Sequence, residues 1–128
     1  MIVLDTSALM ALLLDEPEAD QIADLLKSEE EFTISAGTLA EALIVAGRRG
    51  IAAEMSQLIE GIAVEIETLS AAGAIAVAEA YSIWGKGIHQ AGLNFGDCFS
   101  YVTAKGCGSP LLYVGDDFSQ TDIRSAMS

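Results

Sequence analysis

Apolar and polar positions along this chain change in blocks rather than residue by residue. The opening MIVLD (1–5) is a short continuous apolar run ending on an acid, the pattern of a strand covered on both faces. FTIS (32–35), AVEIETL (63–69) and PLLYV (110–114) supply three more predicted strands. Between them, apolar residues recur three and four apart, as helices require. Thr6 or Ser7 caps a short apolar helix running through about Leu14. Asp15-Glu16-Pro17 breaks it and starts PEADQIADLLKS, a helix with Ile22, Leu25 and Leu26 on its inner face. Ser35 caps a helix over 36–48, closed by Arg48-Arg49-Gly50, and IAAEMSQLIEGI (51–62) gives another. Ser70 opens a helix through about Trp84; GKGIHQAGLN (85–94) is a loop, and FGDCFSYVTAKG (95–106) is helical. GDDFSQTD (115–122) is a further loop, and the tail holds one last short element.

Strands alternating with helices predict an α/β sandwich around a mainly parallel sheet. Sites in such sheets gather beyond the carboxyl ends of the strands. Asp5 ends the first predicted strand, and Asp116 and Asp117 fall just past the fourth.

Composition narrows the class. The 128 residues suit one domain spanning 1–128, and 52% apolar residues with only 6% aromatic favour helices over an all-β build. No apolar run reaches the roughly 18 residues of a membrane span. The first residues lack the basic segment of a signal peptide, and Asp5 interrupts their apolar run. A cytoplasmic protein without membrane association is expected. Cys98 and Cys107 form no disulfide framework or metal spacing and read as free, mostly buried thiols. The net charge of −13 argues against a nonspecific nucleic-acid binder, which relies on Lys and Arg to neutralise phosphates. It leaves room for an enzyme that meets phosphates through divalent cations, or for a protein held by a basic partner.

Most acids sit in polar surface patterns, Glu29–Glu31 among them. Three do not. Asp5 is the only charge in the first 14 residues, Glu41 the only one from Phe32 through Gly47, and Asp97 the only carboxylate between Glu79 and Asp116. An acid in apolar surroundings is costly unless it is hydrogen-bonded, paired or bound to a cation. Helix capping or a strand-end turn accounts for Asp97 or Asp5 singly; Glu41, inside a helix, has no such account. If these acids converge with Asp116 or Asp117, a divalent cation would relieve their repulsion. Oxygen-only ligands indicate Mg²⁺, with Mn²⁺ as an alternative, rather than zinc. Such an ion activates water and stabilises charge during phosphodiester hydrolysis. No G-x-S-x-G, Walker A or catalytic-cysteine pattern competes with this reading.

The segments IVLDTSALMALLLDEPEA, TLAEALIV, GKGIHQAGLNFGDCFSYVTAK and PLLYVGDDFSQTDI, in order from residue 2 to about 123, resemble PIN-domain ribonucleases. Within that family they are most similar to the VapC toxins of bacterial type II toxin–antitoxin systems. The resemblance implies a PIN-like three-layer α/β/α sandwich with a four- or five-stranded mainly parallel sheet. It implies an acidic pocket for Mg²⁺ or Mn²⁺ and endoribonuclease activity on structured RNA, often transfer or ribosomal RNA. A VapB-like antitoxin and a homodimer are the implied partners. By position, Asp5, Glu41, Asp97 and Asp117 match the family acids, with Asp116 the alternative fourth; Asp5 and Asp97 are the most direct ligands. Thr6, Ser7 and Asn94 are candidates to support them by hydrogen bonds.

Two departures weaken the expected RNA path. Ile88 stands where related sequences commonly carry Arg, and Gln90 where they carry Pro. Lys86 and His89 in that loop, with Arg48, Arg49 and Lys105, remain as candidate phosphate contacts. Tyr81 and Trp84 read as core or dimer-face residues. The competing function is a PIN-fold binding module that engages an antitoxin-like partner with little or no nuclease activity. A phosphoryl-transfer domain with a strand-end Asp nucleophile lacks the further acids and lysine it needs.

Overall fold

The computed structural model describes residues 1–127. Its centre is β1 (Ile2–Leu4), paired in parallel with β2 (Phe32–Ser35) on one side and β4 (Leu111–Leu112) on the other; β3 (Glu65–Glu67) extends the sheet beyond β2. The order is β3-β2-β1-β4, four strands all parallel. Six helices connect them: α1 (Thr6–Leu13), α2 (Ala19–Leu26), α3 (Ala36–Arg48), α4 (Ala52–Ile62), α5 (Ala71–Trp84) and α6 (Phe95–Cys107).

The apolar runs read as doubly covered strands because the sheet divides two cores. Ile2 and Leu4 of β1 pack with Leu9, Ile22, Ala42 and Met55 from α1 to α4. Val3, between them, faces the opposite cluster with Val77 and Ala80 of α5 and Cys98 and Ala104 of α6. This period-two division gives the three layers. Edge strand β3 is exposed throughout, which tolerates Glu65 and Glu67 at its ends.

Element edges differ from expectation for local reasons. The cap of α1 is Asp5 rather than Thr6 or Ser7: its backbone is extended and its side chain accepts from Ser7 N–H. The third strand shrinks because Ala63, at φ 55, ends α4 in the left-handed region. The fourth stops at Leu112, since Val114 N–H is taken by Ser7 Oγ at 3.0 Å. Within the expected loop 115–122, Phe118–Gln120 form a 3₁₀ turn whose Phe118 ring packs on Tyr113. In the tail, Ser125 makes one parallel bridge to Leu111, so a fifth strand is reduced to a single pairing. Both cysteines are free, but only Cys98 is buried; Cys107 is exposed. Among the described residues, no helix is long and apolar enough to cross a membrane.

The chain leaves β1 toward β2 and β3, then returns to lay β4 on β1's other side. The carboxyl ends of β1 and β4 therefore flank a topological switch point, where such sheets open a crevice.

Candidate functional site

Asp97, in the first turn of α6, feels the charges of three other acids from separate chain segments: Asp5 at the end of β1, Glu41 on α3, and Asp117 in the loop after β4. Asp5 is only 3% exposed, and both of its oxygens accept hydrogen bonds. Its Oδ2 accepts from Ser7 N–H at 3.0 Å and Ser7 Oγ–H at 2.6 Å, and its Oδ1 from Ser100 Oγ–H at 2.6 Å. Ser7 Oγ in turn accepts from Val114 N–H, tying the acid to the end of the β4 segment.

Glu41 is held differently. Thr6 Oγ1 lies 2.8 Å from Glu41 Oε1 and 3.4 Å from the Thr38 carbonyl; its one proton favours the shorter, charged partner. The carboxylate lies against Gly96, where any Cβ would overlap it. Gly96 thus lets α3 bring its acid up to the start of α6. Burial lifts the Glu41 carboxyl above the usual range, Thr6 opposes that lift, and the Asp5 charge adds to it.

Asp97 serves as half of a capping box. Asn94 Oδ1 accepts from Asp97 N–H at 2.8 Å, and Asp97 Oδ2 accepts from Asn94 N–H at 3.0 Å. A capping acid beside a helix N-terminus should titrate low. Here the carboxyl is pushed up to about 7, first by burial and then by the charges of Asp5, Glu41 and Asp117, against the lowering bond from Asn94. Capping describes its geometry; its raised titration comes mainly from burial, with the three neighbouring acids adding to it.

The structure distinguishes the two neighbouring acids. Asp117, exposed at the rim, acts on Asp97, whereas Asp116 is not among the charges that do. The Asp116 carbonyl instead accepts from Ser119 Oγ–H. Thr6 supports Glu41, Ser7 supports Asp5, and Asn94 orients Asp97. Ser100, Thr38 and Gly96 escaped the sequence reading. Thr38 precedes Glu41 by three residues and Ser100 follows Asp97 by three, a spacing that singles out neither hydroxyl until its partner is known.

The loop Gly85–Asn94 is closed by a bridge between Gly85 and Leu93. His89 is half-buried in it, its ring edge-on to Trp84 at 4.8 Å and its Nδ1 accepting from Ala91 N–H. Lys86 is exposed and, with Asn94 and Phe95, lines a groove of ≈ 480 Å³. Arg48 and Glu41 line a second, of ≈ 400 Å³, on the other side of Phe95. Lys105 is paired with Asp122 at 3.0 Å. Trp84 is half-buried and donates to Tyr101 Oη; Tyr81 is exposed.

A three-layer fold with acids gathered at its switch point defines a class, and sequence comparison agrees with it. The sequence model of the PIN domain matches residues 2–124. Ribonuclease VapC30 of Mycobacterium tuberculosis is 42% identical over 124 residues, 94% of this chain and 95% of that protein. Ribonuclease VapC of Mycolicibacterium smegmatis is 40% identical, with 94% and 96% covered. The M. tuberculosis VapC20 structure, a toxin described as cleaving the sarcin–ricin loop, superposes with a TM-score of 0.80 at 17% identity over the whole of both chains. A toxin–antitoxin complex from Klebsiella pneumoniae contains a chain matching at TM-score 0.72 and 18% identity, with 95% and 93% covered. The chain belongs to the PIN-domain family, in its VapC ribonuclease branch.

Proposed function

We propose that this chain is the toxin of a toxin–antitoxin pair and hydrolyses RNA phosphodiester bonds as a Mg²⁺-dependent endoribonuclease. Ribonuclease activity is supported by relatives of that name at 40–42% identity across nearly the whole chain. The metal requirement rests on one observation: a half-buried Asp97 raised to about 7, first by its burial and further by the charges of Asp5, Glu41 and Asp117. Such repulsion persists only where something compensates it, and a divalent cation does so most directly.

The donors fit that ion. All are carboxylate oxygens, the ligands of hard cations. Among the described residues, no three Asp, Glu, His or Cys side chains converge closely enough to cage an ion by themselves. Mg²⁺ needs fewer direct ligands than that, because it keeps several waters and takes one or two carboxylates directly. Asp5 and Asp97 would be those two, with Glu41 and Asp117 completing the negative field and Mn²⁺ an acceptable substitute. When bound, the ion supplies an activated water and neutralises charge on the phosphate oxygens.

The protein's own part is orientation. Ser7 fixes Asp5, Asn94 fixes Asp97, and Thr6 with Gly96 fixes Glu41. Lys86 lies beside the start of α6, in position to meet a phosphate of an incoming strand. Structured RNA, transfer or ribosomal, is the proposed substrate, as the description of VapC20 suggests.

A VapB-like antitoxin is the proposed partner, in keeping with the toxin–antitoxin complex of similar fold. The net charge of −13 favours a basic antitoxin segment that places an Arg or Lys beside the acids. Exposed Ile75 and Ile83 on α5 favour a homodimer. The sparse basic surface, six Lys and Arg in all, favours the alternative of a binding module with weak cleavage.

The deciding assay compares the purified chain with an Asp5→Asn/Asp97→Asn variant on structured RNA in Mg²⁺. Cleavage by the parent and none by the variant is expected. Equal background cleavage by both would leave only the binding-module reading.

A further inference from the structure

The hydroxyls around Asp5 treat its two oxygens unequally. Oδ2 accepts both the N–H and the O–H of Ser7, which engages both of its lone pairs. Oδ1 accepts only from Ser100 Oγ, at 2.6 Å, and keeps one lone pair. A serine hydroxyl has a single proton, and that of Ser100 is committed to Asp5. In the 2.9 Å contact between Ser100 Oγ and Thr38 Oγ1, Thr38 is therefore the donor. A directed chain runs from Thr38 on α3, through Ser100 on α6, to the acid at the end of β1.

Both hydroxyls are fully buried. Neither caps its helix: Ser35 caps α3, and Asn94 caps α6. Burying a hydroxyl is costly without a partner, and an apolar residue of similar size would fill either position without that cost. What the pair accomplishes is at its end, on Asp5 Oδ1.

We propose that Ser100, oriented by Thr38, is a positioning residue that makes Oδ1 the single oxygen Asp5 offers to a divalent cation. The inference rests on the metal-dependent reading above. The arrangement resembles the outer hydrogen bonds that orient metal ligands elsewhere, whose loss costs about 10- to 100-fold in affinity.

Mn²⁺ titration of the full chain, followed by electron paramagnetic resonance, tests this without reference to catalysis. Ser100→Ala should weaken Mn²⁺ binding by about tenfold while circular dichroism remains that of the parent. Thr38→Val, close to isosteric, should weaken it by about threefold, the value of one neutral hydrogen bond. Thr38→Ser, which retains the donor, should restore parental affinity. Parental affinity in Thr38→Val overturns the inference, even if Ser100→Ala does not fold. A loss in Thr38→Ser equal to that in Thr38→Val also overturns it, because packing would then be the cause. A parent chain that binds no Mn²⁺ would defeat the metal reading itself; a parent that binds, with Ser100→Ala binding equally well, defeats this inference alone.

Discussion

Burial and the charges of Asp5, Glu41 and Asp117 raise the Asp97 carboxyl to about 7, while its bond from Asn94 pulls the other way. A carboxyl whose folded value exceeds its ordinary 3.8 holds an extra proton in the folded state between those limits. Stability of the metal-free protein must then fall as pH rises from about 4 to about 7, because ionisation is easier in the unfolded chain. Glu41, raised mainly by burial, acts in the same direction. Asp97→Asn removes the ionisation but keeps an oxygen to accept from Asn94. Without metal, the thermal midpoint of the parent should decline between pH 5 and pH 8 relative to that of Asp97→Asn. Parallel midpoints across that range would mean that Asp97 does not sit among repelling charges. Asp5, Glu41 and Asp97 were legible in sequence because each is a lone charge in an apolar stretch. Ser100 and Thr38 were not, because a hydroxyl in a helix carries no such contrast until its partner is known.

At the scale of elements, the site depends on α3 and the start of α6 approaching closely enough for Glu41 to lie against Gly96. A methyl group at Gly96 would overlap the carboxylate, so Gly96→Ala must displace Glu41. Alanine is also the better helix former, by up to about 1 kcal/mol. The variant should therefore be about as stable as the parent yet cleave RNA at least about tenfold more slowly, the scale of loss when a ligand is misplaced. Parental activity would show that the position of Glu41 is immaterial. Asn94→Ala removes one half of the capping box and should cost about 1 kcal/mol in chemical denaturation. An unchanged midpoint would assign the order of α6 to other contacts. Helices were well marked in the sequence, since Ser35, Ser70 and the N-F-G-D segment signal their own starts. Strand ends were less so. AVEIETL gave way to Glu65–Glu67 and PLLYV to Leu111–Leu112, cut back by a left-handed Ala63 and by Ser7's claim on Val114 N–H. These are tertiary effects with no local signature.

For the whole molecule, the outstanding quantity is a net charge of −13 on 128 residues, concentrated in part around one pocket. An ion that binds there, and binds the unfolded chain less well, would stabilise the folded chain by mass action. Millimolar Mg²⁺ or Mn²⁺ should raise the thermal midpoint of the parent above that in NaCl of equal ionic strength. Asp5→Asn/Asp97→Asn should lose most of that increment; an equal rise in both proteins would reduce the effect to general screening. The fold class could be read from alternating blocks, and Asp5, Glu41 and Asp97 stood out as isolated charges. Asp117 was favoured over Asp116 by resemblance alone; that Asp117 rather than Asp116 acts on Asp97 depends on how the turn after β4 faces α6. The measurement that bears most directly on function is the rate of structured-RNA cleavage by the purified chain as Mg²⁺ is titrated against a chelator. We predict cleavage that saturates with Mg²⁺, stops on chelation, and falls by at least about 100-fold in Asp97→Asn, as when one electrostatic element of an active site is removed. Cleavage that persists at full rate under chelator, or in Asp97→Asn, would contradict the account.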